Sequence, residues 1–234
     1  MYNVIIPTNN EQGNIACLLK MLQEVLDKLN VIYQIIIVDD GSTDDTIKEI
    51  HQSNTKFLKL VLRPTKLGLG SAYQAALEYC KYEYTIILDA DLSHDPFYIQ
   101  SMIRIQNITG CDLVSSSRYI KNGGVYNWSL YRKLVSRGAN NLAKLVLNLR
   151  SSDLTGSFRL YKTEVLRILL GNCVSKGYSV QMEMMCQAEK RRFKIEECPI
   201  IFYEREVGVS KLGSKEILNF LLSILQLLKN KFEF

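Results

Sequence analysis

Ile35-Ile36-Ile37-Val38-Asp39-Asp40-Gly41-Ser42 sets the fold class of this chain. Four consecutive β-branched residues leave no polar face. Residues 35–38 therefore read as a strand buried on both sides, the mark of a parallel sheet covered by helices. The Asp-Asp-Gly-Ser that follows ends the strand in a turn. Residues 43–50 then read as a short helix with Asp44 and Asp45 in its first turn, where negative charge suits the helix dipole. Working outward, the same alternation repeats. Strands are predicted over 4–7, 57–62, 84–88 and 113–116. Helices are predicted over 15–29, from Gly68-Leu69-Gly70 to about Cys80, and after Pro96. In 15–29 the apolar residues at 15, 18, 19, 22, 25, 26 and 29 recur at helical spacing. Alternating units of this kind build an open, mostly parallel sheet flanked by helices. The second half is less regular, with helical patterns near 129–148 and 179–191 and a strand over 194–203.

Sheets of this class bind ligands at the carboxyl ends of their strands, which is where Pro7, Asp39/Asp40 and Asp89/Asp91 fall. Asp89-Ala90-Asp91 closes the apolar run 84–88, and alternation along an extended chain points its two carboxylates to one side. Two hard oxygen ligands at one point suit Mg²⁺ or Mn²⁺ holding a diphosphate. Taken alone, the pair reads equally as two solvated turn acids. Pro7-Thr8-Asn9-Asn10-Glu11 is either a turn with an acid at a helix start or a wall around a nucleobase. One aspartate of Asp39-Asp40 either caps a helix or accepts from a ribose or base. Gly68-Leu69-Gly70 lacks the third glycine of a dinucleotide loop and reads as tight packing beside a nucleotide.

Composition narrows the class. The 234 residues are 47% hydrophobic with a mean hydropathy of -0.02, which describes an ordinary globular core and excludes disorder. Six cysteines at 17, 80, 111, 173, 186 and 198 show no paired spacing. They read as buried reduced thiols in a reducing compartment. The chain opens directly on a strand, so no signal peptide is expected.

Charge is unevenly placed. Residues 118–150 hold seven basic residues (Arg118, Lys121, Arg132, Lys133, Arg137, Lys144, Arg150) and no acid, against a net charge of +5 for the whole chain. Residues 39–49 hold Asp39, Asp40, Asp44, Asp45 and Glu49. An acidic half suited to a cation thus precedes a basic half suited to phosphate. The basic stretch reads otherwise as a solvated helix face. Nucleic acid is not an expected partner, because no nucleic-acid-binding motif accompanies the charge.

Residues 217–228 are almost wholly apolar, with Asn219, Ser223 and Gln226 on one narrow stripe. Twelve residues make a helix of ~18 Å, short of the ~30 Å hydrocarbon core. The segment either packs on the domain or lies as an amphipathic element on a membrane surface or a partner's helices, and its chain-end position favours the second.

Together, P-x-x-N-E, D-D-G-S, L-G-L-G and D-A-D at these spacings resemble the inverting nucleotide-sugar glycosyltransferases of family 2, with the Rossmann-like GT-A fold. Further segments place the resemblance among the dolichol-phosphate mannosyltransferases, over about residues 4 to 225. These are Asp89-Ala-Asp-Leu-Ser-His94, Ser117-Arg118-Tyr119, Asn122-Gly-Gly-Val-Tyr126, Ser136-Arg-Gly-Ala-Asn140, Asp153-Leu-Thr-Gly-Ser-Phe-Arg159, Gln181-Met-Glu-Met184 and Ser210-Lys-Leu-Gly213. The resemblance implies a GT-A domain over 1–213 and an amphipathic, membrane- or partner-associated helix over 214–234. It implies transfer of mannose from GDP-mannose to dolichyl phosphate on the cytosolic face of the endoplasmic reticulum membrane. Long-lipid handling then rests on peripheral binding or on small membrane-embedded regulatory subunits.

By the same resemblance, Pro7, Asn9, Glu11, Val38 and Asp40 line the guanosine pocket. Asp89, Ala90 and Asp91 meet the donor diphosphate and the Mg²⁺ or Mn²⁺, with Ser93 near the metal. Arg118, Arg205 and Lys211 hold donor or acceptor phosphates, and Arg132, Ser136 and Arg137 hold the acceptor phosphate. Asp91, Arg118, Arg132 and Glu183 are the candidate catalytic residues, Glu183 being either a base or an acid that holds an arginine. A phosphate monoester, with a second pKa of ~6, is already a nucleophilic anion near neutral pH and requires no base. Two departures stand out: Asn9 replaces the family's usual tyrosine, and Thr43 and Asp45 replace the proline and glycine of D-D-G-S-P-D-G-T. The rival readings are a related transferase using UDP-glucose and a non-catalytic subunit that kept the fold.

Overall fold

The computed structural model describes residues 1–175, 177, 179–204 and 214–229, with side chains in the last helix described from 220 onward. In chain order the elements are β1 (Tyr2–Thr8), α1 (Ile15–Lys28), β2 (Tyr33–Asp40), α2 (Thr46–Gln52), β3 (Leu58–Arg63), α3 (Leu69–Leu77), β4 (Tyr84–Ile87), α4 (Tyr98–Thr109) and β5 (Leu113–Ser117). There follow β6 (Gly124–Tyr126), α5 (Leu130–Leu147), β7 (Arg159–Lys162), α6 (Thr163–Gly171), α7 (Val180–Lys190), β8 (Ile195–Pro199), β9 (Ile201–Tyr203) and α8 (Ser214–Lys229).

Seven strands form one sheet in the order β3-β2-β1-β4-β7-β5-β8. The first four run parallel, β7 lies antiparallel between β4 and β5, and β8 runs parallel to β5. β2 and β4 flank β1 on opposite sides, so the sheet order reverses there. The carboxyl ends of β1, β2 and β4 open on the resulting crevice. Alternation splits the apolar residues between two core layers. Ile5, Ile36, Val38 and Ile87 pack on one face with α3 and α7, and Val4, Ile6, Ile35, Ile37 and Ile86 pack on the other with α1 and α4.

Three features depart from the sequence reading. The helix expected over 43–50 begins only at Thr46, because the Asp44 carboxylate turns back to accept from the Thr46 N–H at 3.0 Å and the Gln12 N–H at 3.2 Å. Asp44 and Asp45 therefore precede the helix, and Glu49 is the acid in its first turn. The strand expected over 194–203 is interrupted at Ile200, and its second part pairs with β6 in a separate two-stranded sheet. Neither β6, β7 nor α6 was anticipated. β7 is four residues, Arg-Leu-Tyr-Lys, with charge at both ends, yet Arg159 is wholly buried.

α8 is a 16-residue helix, ~24 Å long at 1.5 Å per residue. Among the described residues no helix is long and apolar enough to cross a membrane. Ile224 and Leu227 are buried in the core, whereas Leu221, Leu222, Leu225 and Leu228 are exposed. All six cysteines are unpaired: Cys111, Cys186 and Cys198 are buried, Cys80 and Cys173 partly buried, and Cys17 exposed.

Candidate active site

At the end of β2, Asp39 and Asp40 divide their work. Asp39 accepts from the Thr8 hydroxyl at 2.8 Å and from the Ser42 N–H and hydroxyl at 2.8 and 2.6 Å, so it holds the turn. Gly41 has φ +69°, and a Cβ there would stand 2.9 Å from the Pro64 carbonyl oxygen, so only glycine fits. Asp40 is ion-paired with Arg63, which also donates to the Ser71 hydroxyl at 2.8 Å. The Asn9 amide donates to the Asp40 carbonyl at 2.9 Å and accepts from Lys66 at 3.2 Å. Glu11 accepts from the Asn14 amide at 3.0 Å. Pro7 is half-buried, and the Val38 side chain lies in the core layer that includes Ala72 and Tyr73 of α3.

Gly70, the second residue of α3, packs tightly. A Cβ on Gly70 would meet the Ser175 carbonyl oxygen at 2.8 Å. That stretch is held from behind by Glu183, 1% exposed, which accepts the N–H groups of Val174 and Ser175 at 3.0 and 2.8 Å. Both its oxygens are thus turned to backbone, and Glu183 clamps the stretch that packs against Gly70 of α3.

At the end of β4, Asp91 is buried and accepts the Ser93 N–H at 3.0 Å, while Asp89 accepts the Ser157 hydroxyl at 2.6 Å. The left-handed Leu92 (φ +61°) turns the chain so that Ser93 comes back beside Asp91. The Ser93 hydroxyl is buried without a hydrogen-bond partner. Two carboxylates and an orphaned hydroxyl form a hard-oxygen set that fits Mg²⁺ or Mn²⁺. Among the described residues no cluster of three acidic, histidine or cysteine groups forms, so substrate oxygens and water would complete the shell. His94 is 2% exposed, and neither ring nitrogen has a hydrogen-bond partner. Burial lowers its pKa against the opposing pull of Asp89 and Asp91, which keeps the imidazole neutral at neutral pH.

The basic side is built around Arg118. Its Nε and Nη2 each donate to Asp153 at 2.7 Å, and Nη2 donates to the Thr155 hydroxyl at 2.7 Å. Burial by itself would lower the Arg118 pKa, but the Asp153 carboxylate outweighs it and raises the pKa above the ordinary value. Asp153 is likewise held below the ordinary carboxylate range in spite of its burial. Arg118 and Asp89 are near enough for their charges to interact.

A cavity of about 220 Å³ opens beside Arg118, with Tyr119, Trp128, Lys133 and Arg137 in its wall. The Tyr119 and Ser136 hydroxyls are 2.7 Å apart. Arg132 lies outside this wall: its Nη1 donates to Glu204 at 2.8 Å, and its guanidinium carbon is 3.9 Å from the Trp128 ring centre. Arg118 and Arg137 thus gather at one cavity, Ser136 joins it only through the hydroxyl of Tyr119, and Arg205 and Lys211 lie outside the described residues. Sequence reasoning missed Tyr119, Trp128, Lys133, Asp153 and Ser157 as parts of the site. Ser-Arg-Tyr and the one tryptophan were visible signals, but nothing in the sequence pairs Arg118 with an acid 35 positions away.

Residues 3–170 match the family described as Glycosyl transferase family 2. The chain belongs to that family. This family 2 glycosyltransferase is 34% identical over 221 residues to polyprenol monophosphomannose synthase of Mycolicibacterium smegmatis, covering 92% of the chain and 82% of the relative. It is 35% identical over 232 residues to dolichol-phosphate mannosyltransferase of Pyrococcus furiosus, covering 97% of the chain but 63% of that longer protein. Among solved structures, glucosyl-3-phosphoglycerate synthase of Mycobacterium tuberculosis with phosphoglyceric acid superimposes with a TM-score of 0.73 at 18% identity, covering 97% of this chain and 79% of the other. At that identity the likeness concerns the GT-A fold of the family 2 enzyme.

Proposed function

We propose that this glycosyltransferase moves mannose from GDP-mannose to a polyprenyl phosphate, dolichyl phosphate in the first instance, with inversion at the anomeric carbon. One observation carries the reading: the segment 153–157 joins an oxygen-rich cation site to a basic cavity, bonding Asp89 through Ser157 and Arg118 through Asp153 and Thr155, with Lys133 and Arg137 in the cavity wall. A donor diphosphate and an acceptor phosphate are two anions, and these are the two matching sites. The names of the relatives at 34% and 35% identity support mannose and a polyprenyl phosphate as the chemistry.

The residues act mainly by positioning and electrostatics. Asp89, Asp91 and Ser93 would hold Mg²⁺ or Mn²⁺, which supplies neutralising charge to the departing diphosphate. Arg118, Lys133 and Arg137 orient the acceptor phosphate, whose own anionic oxygen is the nucleophile. Arg118 is fixed for this by Asp153 and keeps Nη1 for a ligand. Asn9 and Asp40 face the nucleoside end, with Arg63 and Lys66 as partners already in place.

The acceptor's lipid points to a membrane surface, and two helices support that. On α5 the exposed Leu130, Tyr131, Leu134, Leu142 and Leu145 fall within an arc of about 120° at 100° per residue. Lys133, Arg137 and Lys144 border it. On α8 the exposed Leu221, Leu222, Leu225 and Leu228 span a similar arc. An apolar stripe bordered by cations is the pattern of a helix lying in a lipid interface, here on the cytosolic face of the endoplasmic reticulum. The division into residues 1–213 and a membrane- or partner-associated 214–234 is part of the same proposal, of which 230–234 lie outside the described residues and Ile224 and Leu227 pack into the core.

The test is incubation of purified protein with labelled GDP-mannose or UDP-glucose, dolichyl phosphate and Mg²⁺ or Mn²⁺. Labelled lipid from GDP-mannose alone is expected. Label from UDP-glucose instead would replace the donor, and label from neither would overturn the reading.

A further inference from the structure

Trp128 is the one tryptophan of the chain and is 7% exposed. Its ring lies 3.9 Å from the guanidinium carbon of Arg132 and 5.8 Å from that of Arg118. On another side it meets Phe202 edge-on, with ring centres 5.5 Å apart at 76°. Phe202 is itself 5.3 Å from the Arg118 guanidinium carbon and meets His94 edge-on at 5.0 Å. His94 follows Ser93 directly. The main chain repeats the connection: His94 and Phe202 form an antiparallel bridge, and the Tyr203 N–H donates to the Ser93 carbonyl at 3.0 Å. An unbroken aromatic column therefore runs from the cation-holding loop, through His94 and Phe202, to Trp128 beneath two arginines.

The charges of those arginines are already met by carboxylates, Arg118 by Asp153 and Arg132 by Glu204. What the rings add is orientation. A guanidinium lying over an aromatic face is weakly hydrated and held flat, so its remaining N–H groups keep one direction. The column also sets how far those groups stand from Asp89 and Asp91, because rigid rings in contact transmit a fixed spacing.

We propose that Trp128 and Phe202 are positioning residues that fix Arg118 of the acceptor-phosphate site relative to the cation-holding carboxylates, Trp128 being held in turn by its stacking on Arg132. The proposal rests on the transfer reading above. It predicts different signatures for the two rings. Trp128 touches only the arginine end, whereas Phe202 touches both ends.

Steady-state kinetics with farnesyl phosphate as acceptor separate these roles. Trp128→Leu should raise the acceptor KM roughly tenfold, the scale of a partly desolvated cation–π contact, and leave the donor KM within about twofold. Trp128→Phe should recover most of that loss. Phe202→Leu should raise both the acceptor KM and the half-saturating Mn²⁺ concentration. An acceptor KM within twofold of wild type in Trp128→Leu, or a loss confined to kcat in every variant, would overturn the proposal.

A measurement on the unaltered protein guards against misfolded variants and needs no sugar donor. Trp128 is the only tryptophan emitter, so farnesyl phosphate should change its fluorescence saturably, while farnesol should not. No response to farnesyl phosphate would overturn the column's role. A normal response in a protein that transfers no mannose would instead overturn the transfer reading and leave the column standing.

Discussion

Replacing Asp153 with asparagine tests the electrostatic frame of the site. The carboxylate is 1% exposed and receives two 2.7 Å bonds from Arg118, as well as the N–H groups of Arg118, Thr155 and Gly156 at 3.2, 3.3 and 3.1 Å. Asp153→Asn keeps the shape but leaves the buried Arg118 cation uncompensated. Breaking a buried pair from one side costs about 3–5 kcal/mol. At roughly 2–4 °C per kcal/mol for a chain of this size, Tm should fall by roughly 6–20 °C. Urea unfolding at unchanged m-value would read the same loss as a lower midpoint.

The pH dependence has a definite sign. Asp153 has a folded pKa below the ordinary carboxylate value of 3.8, so its stabilisation is fully present above that value and is lost as pH falls through the folded pKa. The gap between wild type and Asp153→Asn should therefore be equal at pH 7 and pH 5 and close in stronger acid. Arg118→Met/Asp153→Leu should recover only part of the loss, because the three backbone donors remain unsatisfied. A loss under about 1 kcal/mol at pH 7 would refute the reasoning.

Other expected outcomes address separate parts of the site. Asp91→Asn should lower transfer by roughly a hundredfold or more, and normal turnover across a Mn²⁺ titration would remove the cation from the chemistry. Glu183→Gln should lower Tm and raise the donor KM while kcat stays within about tenfold; a thousandfold fall in kcat with unchanged Tm would instead make Glu183 a base. Gly70→Ala places a methyl group 2.8 Å from the Ser175 carbonyl; a cost of about 1–3 kcal/mol is expected, readable by urea unfolding. Leu222→Ser/Leu225→Ser on the exposed arc of α8 should reduce sedimentation with anionic vesicles without lowering Tm, and unchanged sedimentation would count against that face as a lipid contact.

The first half of the fold was legible because its strands are continuous apolar runs. Ile35–Val38 has one reading, and both core layers follow from the alternation of residues 4–6 and 35–38. β7 was hidden because its sheet position is secured by a buried arginine, Arg159, which donates to the Leu154 and Gln181 carbonyls at 3.1 and 2.9 Å. Hydrophobic pattern carries no trace of such a contact. In the site, Asp89 and Asp91 could be found because they close an apolar strand run, while Ser93 was named only through the family resemblance. The pairing of Arg118 with Asp153, and the meeting of His94, Phe202 and Trp128, join segments far apart in the chain. Only the folded chain brings them together. Glu183 shows the converse: a motif residue conspicuous in sequence turns out to bind backbone.

The most direct test is whether wild-type protein, given labelled GDP-mannose, dolichyl phosphate and Mn²⁺, forms labelled mannosyl lipid with β configuration, and whether Asp91→Asn does not. β-linked mannosyl lipid from the wild type alone is the expected result. Equal product from both proteins, α-linked product, or no labelled lipid at all would contradict inverting, cation-assisted transfer to a polyprenyl phosphate.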